Sequence, residues 1–328
     1  MYTIGNTKKM NEKLNRKKNI NMKQDMIIIG GGPAGMTAAI YALRADKKVL
    51  VLEKEVIGGK IASAGLVENY PGIEAIKGIE LSEILQKQVE ALGGQILPEE
   101  VIQIEPYKNQ KQVITKQNRY IADVVIIATG TKYKTLDLEN EEKLLGKGIS
   151  FCATCDGFFY KDKIVAVIGG GNTAVSNALE LANICHKVYI LQLLNHLTAE
   201  SILITKLKEK SNIEILYNTS VKSWIGEEKI RAIEVMEQGK KRLIQVDGVF
   251  LSIGQIPQTQ LLSRQIHKTE ENYIITNEKL MTNQEGVFAA GDCVEKQIRQ
   301  LTTAVNDGTI AAMNAIAYIE HLDKDRKS

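Results

Sequence analysis

The stretch Gln24-Asp25-Met26-Ile27-Ile28-Ile29-Gly30-Gly31-Gly32-Pro33-Ala34-Gly35-Met36 decides how the chain folds. Gln24 to Ile29 reads as a short buried strand, and it runs straight into a glycine turn. Met36 to Ala45 then has helical spacing, and Lys48 to Leu52 is a second strand ending at Glu53. Strand, glycine turn, helix and strand make one βαβ unit. In Gly30-x-Gly32-x-x-Gly35 the first glycine permits the tight turn. The second lets backbone approach a pyrophosphate, and the third lets helix and strand pack closely. The start of the helix favours the anion. Glu53 lies 18 residues beyond Gly35, where a carboxylate can bind both hydroxyls of a ribose.

A second unit of the same kind follows in the middle of the chain. Lys163 to Ile168 is its strand, Gly169-Gly170-Gly171-Asn172-Thr173-Ala174 its turn, and Ala174 to Ile184 its helix. Val188 to Leu191 closes it. Two such units predict an α/β protein with two Rossmann-like dinucleotide-binding domains, each in three layers. Val124 to Gly130, Gly248 to Gly254 and Gly286 to Asp292 read as further buried strands that run into glycine, and Thr303 to His321 as the last helix.

The second unit lacks the residues that announce a nucleotide preference. An acid after the second strand binds the 2′-hydroxyl of NAD, and arginines accept the 2′-phosphate of NADP. Here the chain reads Leu191-Gln192-Leu193-Leu194-Asn195-His196-Leu197-Thr198, with neither.

The chemistry concentrates at Cys152-Ala153-Thr154-Cys155-Asp156. Two thiols at this spacing close a small disulfide ring and open it by exchange. Asp156 can give and take the proton that thiolate chemistry demands. The alternative is half of a zinc site, but no second CxxC or paired histidine supplies the other ligands, so no metal is expected. His186, His196, His267 and His321 stand isolated, and Cys185 and Cys293 read as inert.

Length and composition agree with this picture. The chain has 328 residues, enough for about two domains, with 44% hydrophobic and 25% charged residues. The net charge of +3 misleads, because residues 1–21 carry +5 and the rest carries −2. With aromatics at 5%, nucleic-acid binding is not expected. No apolar run reaches 18 residues, so no transmembrane helix is expected. Residues 1–21 have no apolar h-region. They read as a disordered basic tail, or as sequence ahead of a true start at Met22, with a docking arm as the alternative.

From Met22 onward the chain resembles the low-molecular-weight thioredoxin reductases. The resemblance is carried by Cys152-Ala-Thr-Cys-Asp-Gly-Phe-Phe-Tyr160 and by both glycine turns. Glu68-Asn69-Tyr70-Pro71-Gly72, Ala128-Thr129-Gly130, Gly291-Asp292 and Arg299-Gln300 support it. It implies a cytoplasmic, homodimeric FAD enzyme that reduces thioredoxin. It also implies an FAD domain from residues 22–134 and 261–328, with residues 135–260 inserted as the disulfide-bearing, pyridine-nucleotide-like domain. Gly30, Gly32, Pro33, Ala34, Gly35 and Glu53 should hold the FAD pyrophosphate and ribose. Asn69 should lie near the flavin, and Asp292, Arg299 and Gln300 should meet the ribityl, phosphate or ring edge. Cys155 should face the flavin, Cys152 should attack the partner's disulfide, and Asp156 should be the acid/base. Gly169, Gly171, Asn172, Thr173 and Ala174 would form a second nucleotide site.

Two departures from the family stand out. Its usual His-Arg-Arg-x-x-x-Arg run falls on Gln192, Leu193, Leu194 and Thr198, which argues against NADPH specificity. Its usual glutamine near the flavin is Lys60, a cation that would favour anionic reduced flavin. Some relatives without NADPH determinants take electrons from ferredoxin. Ferredoxin lies about 130 mV below thioredoxin, roughly 6 kcal/mol for two electrons. Reduced ferredoxin is therefore the favoured donor, with NADH or weak NADPH use as alternatives. A dithiol oxidase using oxygen and a non-catalytic flavin-binding scaffold are the competing functions.

Overall fold

A computed structural model describes residues 22–64, 66–107, 109–262 and 265–326. The basic tail, residues 1–21, lies outside the described residues. Contacts divide the chain into two compact units. Of the described residues, the first comprises those within 22–66, 70–131 and 257–326. The second comprises residues 67–69 and 132–256. The boundaries near 132 and 256 compare with 135 and 260 in the sequence reading.

In the first unit β1 (Met22–Ile29) leads into α1 (Pro33–Arg44) and β2 (Val49–Leu52). Then come α2 (Gly78–Ala91), β3 (Gln95–Leu97), the hairpin β4 (Val101–Tyr107) and β5 (Gln110–Thr115), and β6 (Arg119–Ile127). β1 runs parallel to β2 on one side and to β6 on the other. Ile28 stands opposite Val51 and Ile126. Both faces of β1 and β6 are apolar because both are covered, as expected for parallel strands. Met26, Ile28 and Val124 pack under α1 with Met36 and Ala39, and with Ala311 and Ala315 from the last helix. Ile27, Ile29 and Ile127 face the other way, onto Val101, Ile104 and Val113 of the hairpin.

The chain enters the second unit along β7 (Thr131–Tyr133). There β8 (Ile149–Ser150), β9 (Ile164–Ile168), β10 (Lys187–Leu191) and β11 (Ile213–Leu216) are joined by short helices. Among these are the single-turn α4 (Ala153–Asp156), α5 (Asn172–Leu181) and α6 (Ser201–Lys208), after a first single turn, α3 (Glu141–Leu144). β12 (Thr219–Ile225), β13 (Ala232–Glu237) and β14 (Lys240–Gln245) form an antiparallel sheet, and β15 (Gly248–Leu251) completes the parallel one. The parallel order is β11-β10-β9-β15-β8. One face holds α5 through Val175, Ala178 and Leu181, and the other holds the antiparallel sheet through Trp224, Ile233 and Val235. The chain leaves along β16 (Gln255–Pro257). It then adds β17 (Val287–Ala289) beside β6 and ends in α7 (Leu301–Asp325). Two three-layer α/β units result, the second inserted between segments of the first.

Candidate active site

The first glycine turn is built by exclusion. Gly30 has φ +110°, and a Cβ there would stand 2.2 Å from the Ala128 carbonyl oxygen. A Cβ on Gly35 would stand 1.9 Å from the oxygen of Gly30. These two glycines let strand, turn and helix close on one another. Gly32 is different, because the nearest atom to a Cβ there is the Gly58 oxygen at 4.0 Å. That side is open, and it lies at the N-terminus of α1, which starts with Pro33 and has no side-chain cap. Glu53, at the end of β2, accepts the N–H of Gly31 at 2.7 Å and that of Glu55 at 2.8 Å. The Thr129 hydroxyl is buried and has no hydrogen-bond partner among the described residues. An open glycine edge, uncapped helical N–H groups, a placed carboxylate and an orphaned hydroxyl fit a dinucleotide such as FAD.

On the other side of β1, the ends of β6 and β17 carry a second set of groups. Lys60 donates to the Thr131 hydroxyl at 2.8 Å and is ion-paired with Asp292. The Lys60 cation is thus matched by a carboxylate of its own unit. Gly291 donates its N–H to Asp307 at 2.9 Å, and Lys296 pairs with the same carboxylate. Arg299 donates to the carbonyls of Lys296 at 2.9 Å and Asp292 at 3.3 Å, and stacks over Tyr273 at 4.1 Å. Its guanidinium clamps the turn that holds Asp292. Gln300 is the N-cap of α7, its N–H donating to Thr303 Oγ1 at 3.0 Å. Asn69 groups with the second unit and takes no part in these contacts.

The second glycine turn repeats the first. Gly169 has φ +127°, and a Cβ would lie 2.5 Å from the Ser252 oxygen, whereas Gly171 is open. Asn172 and Glu200 bond reciprocally across it, at 2.9 and 2.7 Å. Beyond β10 the chain folds back onto the turn. Gln192 is 6% exposed, its amide packs against Gly170 and donates to the His196 carbonyl at 2.9 Å. Thr198 donates its N–H to Gly170 at 2.8 Å. Leu197 is buried, while Leu193 and Leu194 are 67% and 45% exposed. The glutamine side chain has become part of the loop's framework, and the two leucines point away from it into solvent.

The redox groups sit where β8 ends. Cys152 is the N-cap of α4, its sulfur accepting the N–H of Cys155 at 3.1 Å, and the two cysteines form a disulfide. Cys155 is exposed, as are Phe158 and Phe159 just beyond it. Burial pushes the Asp156 carboxyl above the ordinary range, and a hydrogen bond from Ser150 at 2.5 Å partly offsets that. A carboxyl held up in this way suits proton exchange with thiols. Burial also raises the thiols of Cys185, to about 11, and Cys293, which keeps both protonated. No cluster of His, Cys, Asp or Glu able to hold a metal occurs among the described residues. No helix among them is long and apolar enough to cross a membrane.

Residues 24–308 match the pyridine nucleotide-disulphide oxidoreductase family. The chain is 39% identical over 308 residues to thioredoxin reductase of Bacillus subtilis, covering 93% of this chain and 97% of the relative. It belongs to the low-molecular-weight thioredoxin reductases. As such it is an FAD-type oxidoreductase enzyme, which sets aside the non-catalytic scaffold. The thioredoxin reductase of Streptococcus pyogenes superposes with a TM-score of 0.87 at 35% identity, over 92% of this chain and 99% of that one. A ferredoxin-flavin thioredoxin reductase from Clostridium acetobutylicum matches with a TM-score of 0.50 at 32% identity, over 91% and 99%.

Within this thioredoxin reductase, the first unit brings Gly30 to Gly35, Glu53, Lys60, Asp292, Arg299 and Gln300 to the strand ends of one sheet. The second unit brings Cys152, Cys155 and Asp156 to the end of β8. Thr129, Thr131, Lys296, Asp307 and Ser150 join these sets without having been singled out. Thr129 lay inside the quoted Ala128-Thr129-Gly130, where a buried hydroxyl was the available signal. Thr131, Lys296 and Asp307 are polar residues whose partners lie 11 to 71 residues away, whereas Ser150 bonds to Cys152 and Asp156, two and six residues on.

Proposed function

We propose that this enzyme passes electrons through FAD and the Cys152–Cys155 disulfide to thioredoxin, and that its donor is reduced ferredoxin rather than NADPH. The observation that carries the donor reading is the loop after β10. A 2′-phosphate needs charge-assisted donors. At the positions where the family places arginines, this loop presents exposed Leu193, Leu194 and Thr198, and Gln192 is spent on the loop itself. The ferredoxin-flavin enzyme among the structural relatives supports the same reading.

FAD supplies the step from donor to disulfide, because it accepts electrons singly and delivers a pair. Gly30, Gly32, Pro33, Ala34 and Gly35 bind its pyrophosphate, and Glu53 its adenosine ribose. Asp292 and Lys60, at the ends of the strands on the far side of β1 from β2, would serve the flavin half when FAD is bound. Arg299 and Gln300 would serve that half by holding the Asp292 turn and the start of α7.

In the reduced enzyme the Cys152 thiolate attacks the thioredoxin disulfide, forming a Cys152–sulfur bond and releasing one thioredoxin thiolate. Asp156, which holds the proton that left Cys152, protonates that leaving sulfur. The carboxylate then takes the proton of the Cys155 thiol, whose sulfur attacks Cys152, closes the enzyme's own disulfide and frees the second thioredoxin sulfur, which receives that proton. The enzyme dithiol loses two electrons and two protons, and thioredoxin gains both.

A second reading, NADH as donor, is favoured by one observation, the intact turn from Gly169 to Ala174 with its open Gly171 edge. Anaerobic mixing of the FAD-loaded enzyme with reduced ferredoxin, NADH or NADPH separates the readings through bleaching of the flavin absorbance. Bleaching by ferredoxin alone is expected. Fast bleaching by NADPH overturns the proposal, and fast bleaching by NADH supports the second reading.

A further inference from the structure

Ser150 ends β8 with its side chain buried, between the disulfide and the acid. Its hydroxyl accepts the N–H of Cys152 at 3.1 Å and donates to Asp156 Oδ2 at 2.5 Å. The directions of both bonds follow from the groups, because a backbone N–H has nothing to accept and an ionised carboxylate has nothing to donate. A second acceptor stands nearby, the Cys152 carbonyl at 3.5 Å. With Asp156 ionised, the Ser150 proton goes to the carboxylate, the nearer and charged acceptor. With Asp156 protonated, the carboxyl proton turns to Ser150 Oγ, and the serine proton swings to the Cys152 carbonyl. Neither state leaves a buried polar atom without a partner, so the acid can load and unload its proton without disturbing the redox turn.

We propose that Ser150 is a positioning residue that ties the Asp156 carboxyl to the backbone of Cys152 and governs when Asp156 exchanges its proton. This rests on the reading of Asp156 as the acid of the thiol exchange. Among the neighbouring titratable groups, Tyr160 beyond α4 feels the charge of Asp156 and also meets Asp247, Cys185 and, over its ring, Lys163, while Glu180 on α5 accepts from Thr154 in the same turn. Burial and neighbouring negative charge hold the Tyr160 phenol near 12, so it stays neutral. Burial and the Ser150 bond are the influences resolved on Asp156 itself.

The test is the pH profile of thioredoxin reduction by the FAD-loaded, full-length enzyme reduced beforehand with dithionite. Asp156→Asn should abolish the limb that reports the acid. Ser150→Ala removes a bond to the charged form and should move that limb to higher pH by about one unit. Ser150→Thr, which keeps the hydroxyl, should restore its position. Should Ser150→Ala lose its flavin absorbance, Ser150→Gly carries the same expectation of an upward shift. A limb that survives Asp156→Asn overturns the acid assignment, and the inference with it. A limb that Asp156→Asn abolishes and neither hydroxyl-free variant moves overturns the role of Ser150 alone.

Discussion

Glu53 accepts the backbone N–H of Gly31 at 2.7 Å, so the acid that ends β2 is already turned onto the glycine loop. On the proposed reading it is preorganised for the FAD ribose, so that its loss would remove both a ligand and a brace. Glu53→Ala should weaken FAD binding by roughly 10- to 100-fold, the worth of one or two hydrogen bonds to a charged group. Titrating apoprotein with FAD and following the quenching of flavin fluorescence measures this directly. An unchanged affinity would place the ribose elsewhere.

The donor loop lends itself to a graft. Leu193, Leu194 and Thr198 are all exposed, so arginines there cost the fold little. The combined variant Leu193→Arg, Leu194→Arg, Thr198→Arg should raise the rate of flavin bleaching by NADPH over that by NADH at least about tenfold, the order of one charge-assisted contact. No change in that ratio would mean that the turn itself does not admit a nicotinamide nucleotide.

Lys60 and Asp292 predict an effect on potential. Replacing the ammonium by a neutral amide, Lys60→Gln, leaves the Asp292 carboxylate without its counter-charge on the side where the flavin is proposed to lie. Adding electrons there becomes harder. The two-electron midpoint potential should fall by about 30 mV, equivalent to 1.4 kcal/mol. Spectroelectrochemical titration of both proteins reads the shift, and an upward shift would contradict the placement.

Asp123 makes stability depend on pH. Burial alone would raise its carboxyl. The bonds from Arg326 at 2.6 Å and Gln110 at 2.7 Å, with the charge of Lys23, outweigh burial and hold it below the usual carboxylate range. A depressed carboxyl contributes stability above its unfolded value, and loses it as pH falls through the folded one. Arg326→Ala should therefore cost roughly 1–2 kcal/mol near neutral pH, discounted for the exposure of the arginine. The difference should shrink below about pH 4, where Asp123 is protonated in the unfolded chain. Urea unfolding of wild type and variant at pH 7 and pH 3 tests it, and an equal difference at both would sink the idea.

Much of this enzyme is determined locally. A buried strand that meets glycines at Gly30 and Gly169 can turn into a helix in few ways, because any side chain there strikes Ala128 or Ser252. Both βαβ units, the redox pair and the missing arginines were therefore legible from residues near one another in the chain. The antiparallel strands β4–β5 and β12–β14 were not, since their half-exposed pattern announces no partner. What each site does with its side chains was decided by tertiary structure. Lys60 reads as a cation near the flavin, and only the fold shows that the turn after β17 brings Asp292 to it from 232 residues away. Arg299 reads as a cofactor ligand, and only the fold shows that three of its five donors also clamp the carbonyls of its own turn. Ser150 carries no signal at all until the turn of α4 folds Asp156 back over it. Sterics between neighbours in the chain are written in the order of the residues, whereas charge pairing and hydrogen bonding are satisfied by whichever groups the finished fold brings within 3 Å.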